Sequence, residues 1–222
     1  MSDKILREIE VMDVVKGVGS AVIDAVVSVN PVSCFYWSVM KSSKENSLQR
    51  RHEIWQHEVG ERLSKLEKTV FESLGNNENF VTTLLRATEL AIKTNGKKVE
   101  YLANAVKYSA ENDINEDALI IMLNCIEKYT LSHIKVLKYL ENPTLYSAGV
   151  DYTLGGAFTY FDNSFPDFNK QLRNIILKDL YHDGLTTIDT DATMSRNGMD
   201  AKKTTELGDL FITIFGIEDD GK

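Results

Sequence analysis

The clearest pattern along the chain is an apolar stripe in its first third. Six apolar residues recur at steps of three or four: Trp55, Val59, Leu63, Leu66, Val70 and Leu74. Charged residues fill the positions between them, so the apolar side chains share one helix face. The stripe predicts a long amphipathic helix over residues 48–74, ended by Gly75-Asn76-Asn77. It has too few heptads to predict a coiled coil strongly.

The same periodicity predicts helices on both sides of this stretch. Short helices follow over residues 79–128, with Asn95-Gly96 as a turn between two of them. The preceding run from Gly17 to Met40 has Asp24 as its only charged residue, and Asn30-Pro31 interrupts it. Because proline suits the first position of a helix and asparagine its cap, we expect a helical hairpin over residues 5–45.

The apolar run leaves a membrane alternative open. A run of about 20 apolar residues is long enough to span a bilayer, although Asp24 would be costly at its centre. Small residues every four positions also allow close approach of two helices. The candidate residues for helix packing or membrane contact are Gly17, Ala21, Ala25 and Trp37.

From residue 130 onward the pattern changes from regular helices to helices mixed with short extended segments. A helix after Thr130 and a second one from Asp167 to Asp183 are followed by two strand-like segments, Thr186–Ile188 and Lys202–Thr205. A polar hairpin is expected between these segments, and a last helix after them. This is the element order of a winged helix. The sequence therefore predicts a mainly α protein: an N-terminal helical bundle over residues 1–129 and a C-terminal winged-helix-like module with a small β-hairpin over residues 130–222.

Composition narrows the protein class. The 222 residues include 43% hydrophobic residues, enough to fill a core, and a net charge of −8 that disfavours strong non-specific binding of nucleic acids. The two cysteines, Cys34 and Cys125, form no metal-binding motif and lie among apolar neighbours. The N-terminus is unlike a secretory signal. We expect a cytoplasmic protein.

Three stretches resemble known families. The segments DLYHDGL and KKTTELGDLFITIF resemble the recognition helix, second wing strand and closing helix of bacterial winged-helix proteins. Residues Thr193–Phe215 are also similar to the tail of an uncharacterised bacterial family. The stretches YLANAVKYSAEN and LNCIEKYTLSHIKVLKYL loosely resemble the abortive-infection alpha family of phage-defence proteins. None of these resemblances carries a catalytic motif, so they imply architecture and a defence setting rather than a reaction.

No pattern indicates catalysis or a cofactor. His52 and His57 lie five residues apart, which places them about 140° apart around a helix and prevents shared metal binding. Lys16-Gly17-Val18-Gly19-Ser20 lacks the first glycine of a phosphate loop. Asp189 and Asp191 are expected to be solvated turn residues. We therefore expect a protein that is not an enzyme and has no cofactor and no metal.

A winged helix offers a contact surface. Its recognition helix would present basic and amide side chains outward, and its wing would add more. These candidate contacts for a nucleic acid or a protein partner are Lys170, Arg173, Asn174, Lys178, Arg196, Lys202 and Lys203. Six basic residues in this region face six acidic ones, which leaves no net attraction for DNA.

These observations rank three functions. The favoured one is a non-enzymatic regulatory or protein-interaction protein in a phage-defence-type system, binding another protein or itself as an oligomer. The second is a DNA-binding transcriptional regulator that uses the winged helix. The third is a membrane-acting effector that uses residues 17–40.

Overall fold

The computed structural model describes residues 46–94, 96–149 and 151–218. The predicted helical hairpin over residues 5–45 lies outside these ranges. Contacts divide the chain into two compact units, residues 1–127 and 128–222, whereas the predicted boundary followed residue 129. Within the described residues, no helix has the length and apolar character needed to cross a membrane.

The described part of the first unit is helical, in agreement with the predicted mainly α class. Its elements are α1 (Asn46–Leu63), α2 (Lys68–Ser73), a 3-10 turn (Leu74–Asn76), α3 (Glu78–Lys93), α4 (Lys97–Glu111) and α5 (Glu116–Lys128). Helices α1, α3 and α4 pack against one another. The apolar stripe supplies the buried side of α1, where Trp55 donates its indole N–H to Thr88 Oγ1 at 3.0 Å. This hydrogen bond satisfies the polar atom of a fully buried ring.

The prediction of one long helix over residues 48–74 is wrong. Helix α1 ends at Leu63, and α2 starts at Lys68 after a turn. The Ser64 hydroxyl donates to the carbonyl oxygen of Glu61, and Leu66 N donates to Leu63 O. Serine side chains compete for backbone carbonyls in this way, which disfavours continuation of a helix. The three shorter helices predicted after this stretch are present as α3, α4 and α5.

The second unit combines helices with two short strands. Its described elements after α5 are α6 (Leu131–Glu141), a 3-10 turn (Pro143–Tyr146), β1 (Leu154–Gly156), α7 (Thr159–Ser164), α8 (Lys170–His182), β2 (Thr193–Ser195), α9 (Arg196–Asp200) and α10 (Glu206–Phe215). Helices α8 and α10 both pack against α6. The small β-structure that the sequence predicted is present, as a two-stranded antiparallel sheet.

The strands of this sheet differ from the predicted hairpin. Strands β1 and β2 pair antiparallel with Gly155 opposite Met194. The two segments expected to form the hairpin meet at one isolated bridge, Thr186 with Thr204. The region between them is not a plain polar loop, because Ser195 Oγ accepts a hydrogen bond from Gly198 N and starts α9. The predicted segments therefore pair as expected, but over a single bridge, and the strands of the sheet are β1 and β2 instead.

An aromatic cluster fills the centre of the second unit. The Tyr139 ring of α6 lies 5.6 Å from the Phe158 ring and 5.2 Å from the Phe161 ring. Its buried hydroxyl donates to the carbonyl oxygen of Ala157, and burial raises the pKa of Tyr139. Phe158 and Phe161 are fully buried. This cluster provides a fixed support for the elements around it, including α8.

Candidate contact surface on helix α8

Helix α8 begins and ends at residues suited to those positions. The Asn169 side chain accepts hydrogen bonds from Gln171 N at 2.9 Å and Leu172 N at 3.0 Å, which caps the N-terminus. After the last helical residue, Gly184 adopts a left-handed conformation with φ of 76°. Glycine adopts this backbone conformation without steric cost. The predicted recognition helix, Asp167 to Asp183, thus contains α8.

The inner side of α8 is buried and contains one charge. Ile176, Leu177 and Leu180 are almost inaccessible to solvent, and Arg173 lies among them at 3% exposure. At about 100° per residue, these four positions share one face of the helix. The sequence predicted that Arg173 points outward, and the structure shows that this orientation is wrong.

Two carboxylates and an aromatic ring compensate the buried charge of Arg173. Its Nη1 donates to Asp162 Oδ1 of α7, and its Nη2 donates to Asp191 Oδ2 at 3.0 Å. The guanidinium carbon lies 4.4 Å from the centre of the Phe158 ring. An arginine in such an arrangement gains ion pairs and a cation–π contact in place of water. Arg173 therefore attaches the buried side of α8 to Asp162 and Asp191, and it does not offer a contact to a partner.

Asp191 has a structural role that the sequence did not predict. Besides pairing with Arg173, its Oδ1 accepts a hydrogen bond from Phe158 N at 3.2 Å. A Cβ atom at Gly156 would lie 2.3 Å from the same oxygen, so a larger residue there would displace the carboxylate. Asp191 is an exposed residue, as expected, but its carboxylate is bonded to Arg173 and to Phe158 N, which the sequence did not predict. Asp189 is exposed, as expected.

The opposite side of α8 forms a solvent-exposed surface, here called the outer face of α8. It consists of Lys170, Gln171, Leu172, Asn174, Ile175, Lys178, Tyr181 and His182. Three of its side chains are large and apolar yet exposed: Leu172 by 44%, Ile175 by 59% and Tyr181 by 48%. Leu172 and Ile175, three residues apart, are neighbours on this surface, whereas Tyr181 lies about 120° around the helix axis from Ile175.

The exposure of Leu172 corrects a second orientation. Leu172, Ile176 and Leu180 recur at steps of four residues, and this spacing predicts that all three point inward. Each step of four residues turns about 40° around the helix axis, so Leu172 and Leu180 lie about 80° apart. The buried side is centred near Arg173 and Leu180 instead, and Leu172 lies beyond its edge. Compared with the predicted orientation, Leu172 lies at the surface and Arg173 lies in the interior.

Lys203, predicted to extend from the wing towards a nucleic-acid backbone, is also buried. It is 3% exposed, and its Nζ donates to the carbonyl oxygens of Met199 at 3.0 Å and Ala201 at 2.6 Å. These bonds satisfy carbonyls at the end of α9. Burial lowers the pKa of Lys203 to about 8. The prediction of a contact residue is wrong here because its ammonium faces inward.

Most of the remaining candidate cations already have carboxylate partners. Arg196 pairs with Asp151 at 2.9 Å, Lys202 pairs with Asp209, and Lys170 lies 3.4 Å from Asp162 Oδ2. Lys178 is exposed and forms no ion pair with any residue in the described ranges. Asn174 is exposed, with its side-chain oxygen accepting from Arg173. The structure therefore does not gather the seven predicted contact residues into one basic surface.

The C-terminal end of α8 contacts the start of α6 and the residues just before it through polar side chains. This group, here called the His133 cluster, consists of Lys128, Tyr129, Thr130, His133, Asp179 and Asp183. Asp179 accepts from Lys128 at 3.3 Å, and Asp183 accepts from Lys128 at 2.9 Å and from the Tyr129 hydroxyl at 2.7 Å. Burial raises the pKa of Asp183, but these donors outweigh it and lower that pKa. The same carboxylates overcome the effect of burial on Lys128 and raise its pKa.

His133 lies at the centre of this cluster with both ring nitrogens bonded. Its Nδ1 lies 3.2 Å from Thr130 N and 2.9 Å from Thr130 Oγ1, and its Nε2 lies 3.3 Å from Asp179 Oδ2. Since Thr130 N can only donate, Nδ1 must accept, which leaves the proton on Nε2. Burial lowers the pKa of His133, against the opposing effect of Asp179. The neutral ring thus connects the cap of α6 to α8.

The structure offers no inorganic site in its described part. No group of three or more histidine, cysteine or carboxylate side chains there is arranged to hold a metal ion. His52 and His57 both lie on α1, about 140° apart around the helix axis. Gly17, Ala21, Ala25 and Trp37 lie outside the described residues, and so does residue range 17–40 as a whole.

Comparisons with known proteins add no family. No protein-family model, no curated protein and no solved structure matches the chain. The outer face of α8 must therefore be interpreted from its own geometry. Sequence reasoning missed Ile175 and Tyr181 as its exposed apolar members. If the predicted buried face had included Leu177 as well as Ile176 and Leu180, it would have placed Ile175 and Tyr181 at the surface.

Proposed function

We propose that this chain is a non-enzymatic regulatory protein that acts by binding another protein, and that the outer face of α8 is its contact surface. The observation that carries the proposal is the exposure of Leu172, Ile175 and Tyr181 on one helix. Exposure of leucine, isoleucine and tyrosine side chains to water is unfavourable. A partner that covers them therefore lowers the free energy of the system. Tyrosine is also among the residues enriched at the energetic centres of protein interfaces.

The opposite side of the same helix supports this proposal. Arg173 is tied to Asp162 and Asp191, and Leu177 and Leu180 are buried. A helix held in this way loses little conformational freedom when a partner binds to its outer face. Such preorganisation reduces the entropic cost of association. The arrangement therefore suits a rigid docking surface.

DNA binding is the second candidate. The observation in its favour is Lys178, an exposed cation in the middle of the outer face that has no ion pair within the described residues. Against it, Arg173 and Lys203 are buried, and Arg196, Lys202 and Lys170 lie beside carboxylates. Few phosphates could be neutralised, so counterion release would contribute little affinity. Fluorescence anisotropy with mixed duplex DNA at low salt tests this candidate.

We further propose that the second unit is a variant of the winged-helix arrangement. In support, helix α6, strand β1, helices α7 and α8 and strand β2 follow one another, and the strand before α7 pairs with the strand after α8. The wing would be shortened, since Thr186 and Thr204 form a single bridge. Fold alone does not determine whether such a unit binds DNA or protein.

The cellular setting is proposed from the sequence. The resemblance of YLANAVKYSAEN and LNCIEKYTLSHIKVLKYL to the abortive-infection alpha family supports a role in phage defence. The low cysteine content favours the cytoplasm. A membrane-acting role for residues 17–40 stays a third candidate, and liposome flotation of the chain with and without residues 1–45 tests it.

Site-specific photo-crosslinking in the native host tests the contact surface. A photo-reactive phenylalanine analogue at Gln171 would lie on the outer face, and the same analogue at Ile121, an exposed residue of α5, is the matched control. We expect a defined protein adduct from position 171 that is absent from position 121 and lost when Ile175→Asp is added. Equal adducts from both positions, or none from position 171, would exclude the outer face as the contact surface.

A further inference from the structure

We infer that the first unit binds a small zwitterion, a free α-amino acid with an apolar side chain, in a cleft lined by α3, α4 and α5. The cleft has a volume of about 240 Å³. Pockets for drug-sized ligands usually measure about 300–1,000 Å³, so this cleft suits a smaller molecule. All of its lining residues belong to the first unit, so the site does not depend on the outer face of α8.

Helical spacing brings the lining side chains together. Leu90, Lys93 and Thr94 line the cleft from the end of α3, at positions i, i+3 and i+4. Lys98 and Leu102 line it from the first turns of α4, four residues apart. Residues at these spacings are neighbours on one side of a helix. The last turn of α5 completes the cleft.

The inner wall of the cleft is apolar. Leu90 is 9% exposed, Leu102 is 1% exposed and Ile126 of α5 is fully buried. Transfer of an apolar ligand side chain from water to this wall is favourable. The wall therefore suits a branched or unbranched aliphatic group.

Lys98 offers a partner for a carboxylate. Its side chain is partly buried, and its Nζ donates to the carbonyl oxygen of Glu127 at 3.3 Å. Burial lowers the pKa of Lys98, and the Glu127 carboxylate opposes this effect only in part. A ligand carboxylate beside the ammonium group would stabilise its charge and accept a charge-assisted hydrogen bond.

The cleft also favours a positively charged group on the ligand. Its walls include the C-terminal ends of α3 and α5, where the backbone carbonyl groups carry partial negative charge. The Glu127 carboxylate and the Thr94 hydroxyl add two side-chain acceptors there. Lys93 pairs with Glu89 at 2.8 Å, so it adds little net positive charge. An ammonium group can therefore bind these acceptors while a carboxylate binds Lys98.

A zwitterion fits this arrangement better than a polyanion does. Inorganic phosphate would place its negative charges beside two helix C-termini and the Glu127 carboxylate, which disfavour them. A simple aliphatic carboxylate would pair with Lys98 but would offer no donor to the acceptors. An α-amino acid supplies the carboxylate, the donor and the apolar group in one small molecule.

A ligand panel measured by nuclear magnetic resonance tests this inference on the full chain. L-leucine, L-methionine and L-phenylalanine would be titrated into isotope-labelled protein, and the shifts of amide signals give both the affinity and the position of the site. Three compounds related to leucine each lack one feature. Glycine lacks the apolar side chain, isocaproate lacks the ammonium group and isoamylamine lacks the carboxylate. Sodium phosphate tests for a general anion site.

We expect at least one of the three amino acids to bind and to shift the amide signals of Lys98 and Leu102. Glycine, isocaproate and isoamylamine should each bind about 10-fold more weakly than L-leucine, because each loses a charge-assisted hydrogen bond or the burial of an apolar group. Absence of binding by all three amino acids at millimolar concentration would overturn the proposal. Binding of isocaproate or phosphate as tight as that of the amino acids would overturn the zwitterion.

Two substitutions locate the site. Lys98→Met and Glu127→Gln remove the charged partners at nearly unchanged side-chain length. The matched controls are Lys107→Met and Glu116→Gln, on α4 and α5 but outside the cleft. We expect each cleft variant to weaken amino-acid binding about 10-fold, with unchanged affinity in the controls and unchanged circular dichroism in all four. Affinity that stays unchanged in both cleft variants would exclude this cleft as the site.

Discussion

Arg173 of α8 donates a hydrogen bond to Asp191 at 3.0 Å, and this ion pair connects the helix to the segment that leads into β2. The same Asp191 accepts from Phe158 N, so one carboxylate joins α8, the aromatic cluster and the sheet. The ion pair lies on the buried side of α8 and holds the helix in the orientation that exposes its outer face. Its contribution to stability can be measured directly.

Removal of the buried guanidinium should destabilise the protein strongly. Arg173→Met leaves the Asp162 and Asp191 carboxylates, each about one quarter exposed, without their cation. We expect a loss of about 2–4 kcal/mol, somewhat below the cost for a fully buried pair. Urea unfolding measures it. Arg196→Met, which breaks surface pairs with Asp151 and Asp200, is the control and should leave the free energy of unfolding unchanged. Equal effects of the two variants would contradict the role of Arg173.

Acidification should destabilise the protein through His133. Burial lowers its pKa below the ordinary value of 6.5, so the unfolded chain binds a proton at this residue before the folded chain does. The stability that depends on the neutral ring is therefore present above pH 6.5 and is lost as the pH falls from 6.5 through the folded pKa. Urea unfolding between pH 5 and pH 8 measures this dependence.

His133→Gln is the matched control for that measurement. Glutamine at this position can still accept from Thr130 N in a capping box, but it does not titrate. We expect the variant to lose less stability than the natural protein between pH 7.5 and pH 5.5. Parallel curves for the two proteins would show that His133 protonates equally in the folded and unfolded states.

The stability of the protein at alkaline pH should depend on Lys203. Its pKa is lowered to about 8 by burial, compared with an ordinary value of 10.5. Between these values the unfolded chain binds more protons, so the contribution of this residue to stability rises with pH. Lys203→Met should remove that rise, because methionine has similar length and no charge. Chemical denaturation from pH 7 to pH 10.5 measures both proteins, and a slope unchanged by the substitution would place the ammonium in solvent.

Close packing at the start of α10 predicts a large effect of one methyl group. A Cβ atom at Gly208 would lie 2.2 Å from the carbonyl oxygen of Leu185, a backbone atom that cannot turn aside. Gly208→Ala should therefore destabilise the protein by about 1–3 kcal/mol, the usual cost of overpacking. Thr213→Ala on the exposed side of the same helix is the control. Thermal unfolding compares the two, and equal midpoints would mean that the helix shifts freely.

Much of the helical structure could be predicted from the sequence because it depends on local periodicity. The buried side of α1 follows the stripe that begins with Trp55, Val59 and Leu63, and α8 lies within the predicted range. The break after Leu63 was missed, because it depends on the Ser64 hydroxyl and not on an apolar pattern.

The site was harder to predict because it depends on partners distant in sequence. Arg173 is buried only because Asp162 and Asp191 approach it, and neither spacing forms a motif. Strand β1 was missed for a related reason. It has three residues, two of them glycine, and it is defined by pairing with β2 far along the chain. A single sequence does not contain these pairings.

The proposed function requires that the outer face of α8 binds a protein partner. The most direct test is the affinity of the protein captured through Gln171 for the full chain, compared with Ile175→Asp and with Ile121→Asp. We predict that Ile175→Asp weakens binding about 30-fold, while its unfolding free energy and the affinity of Ile121→Asp stay as in the natural protein. Equal affinities for all three proteins would contradict the central claim.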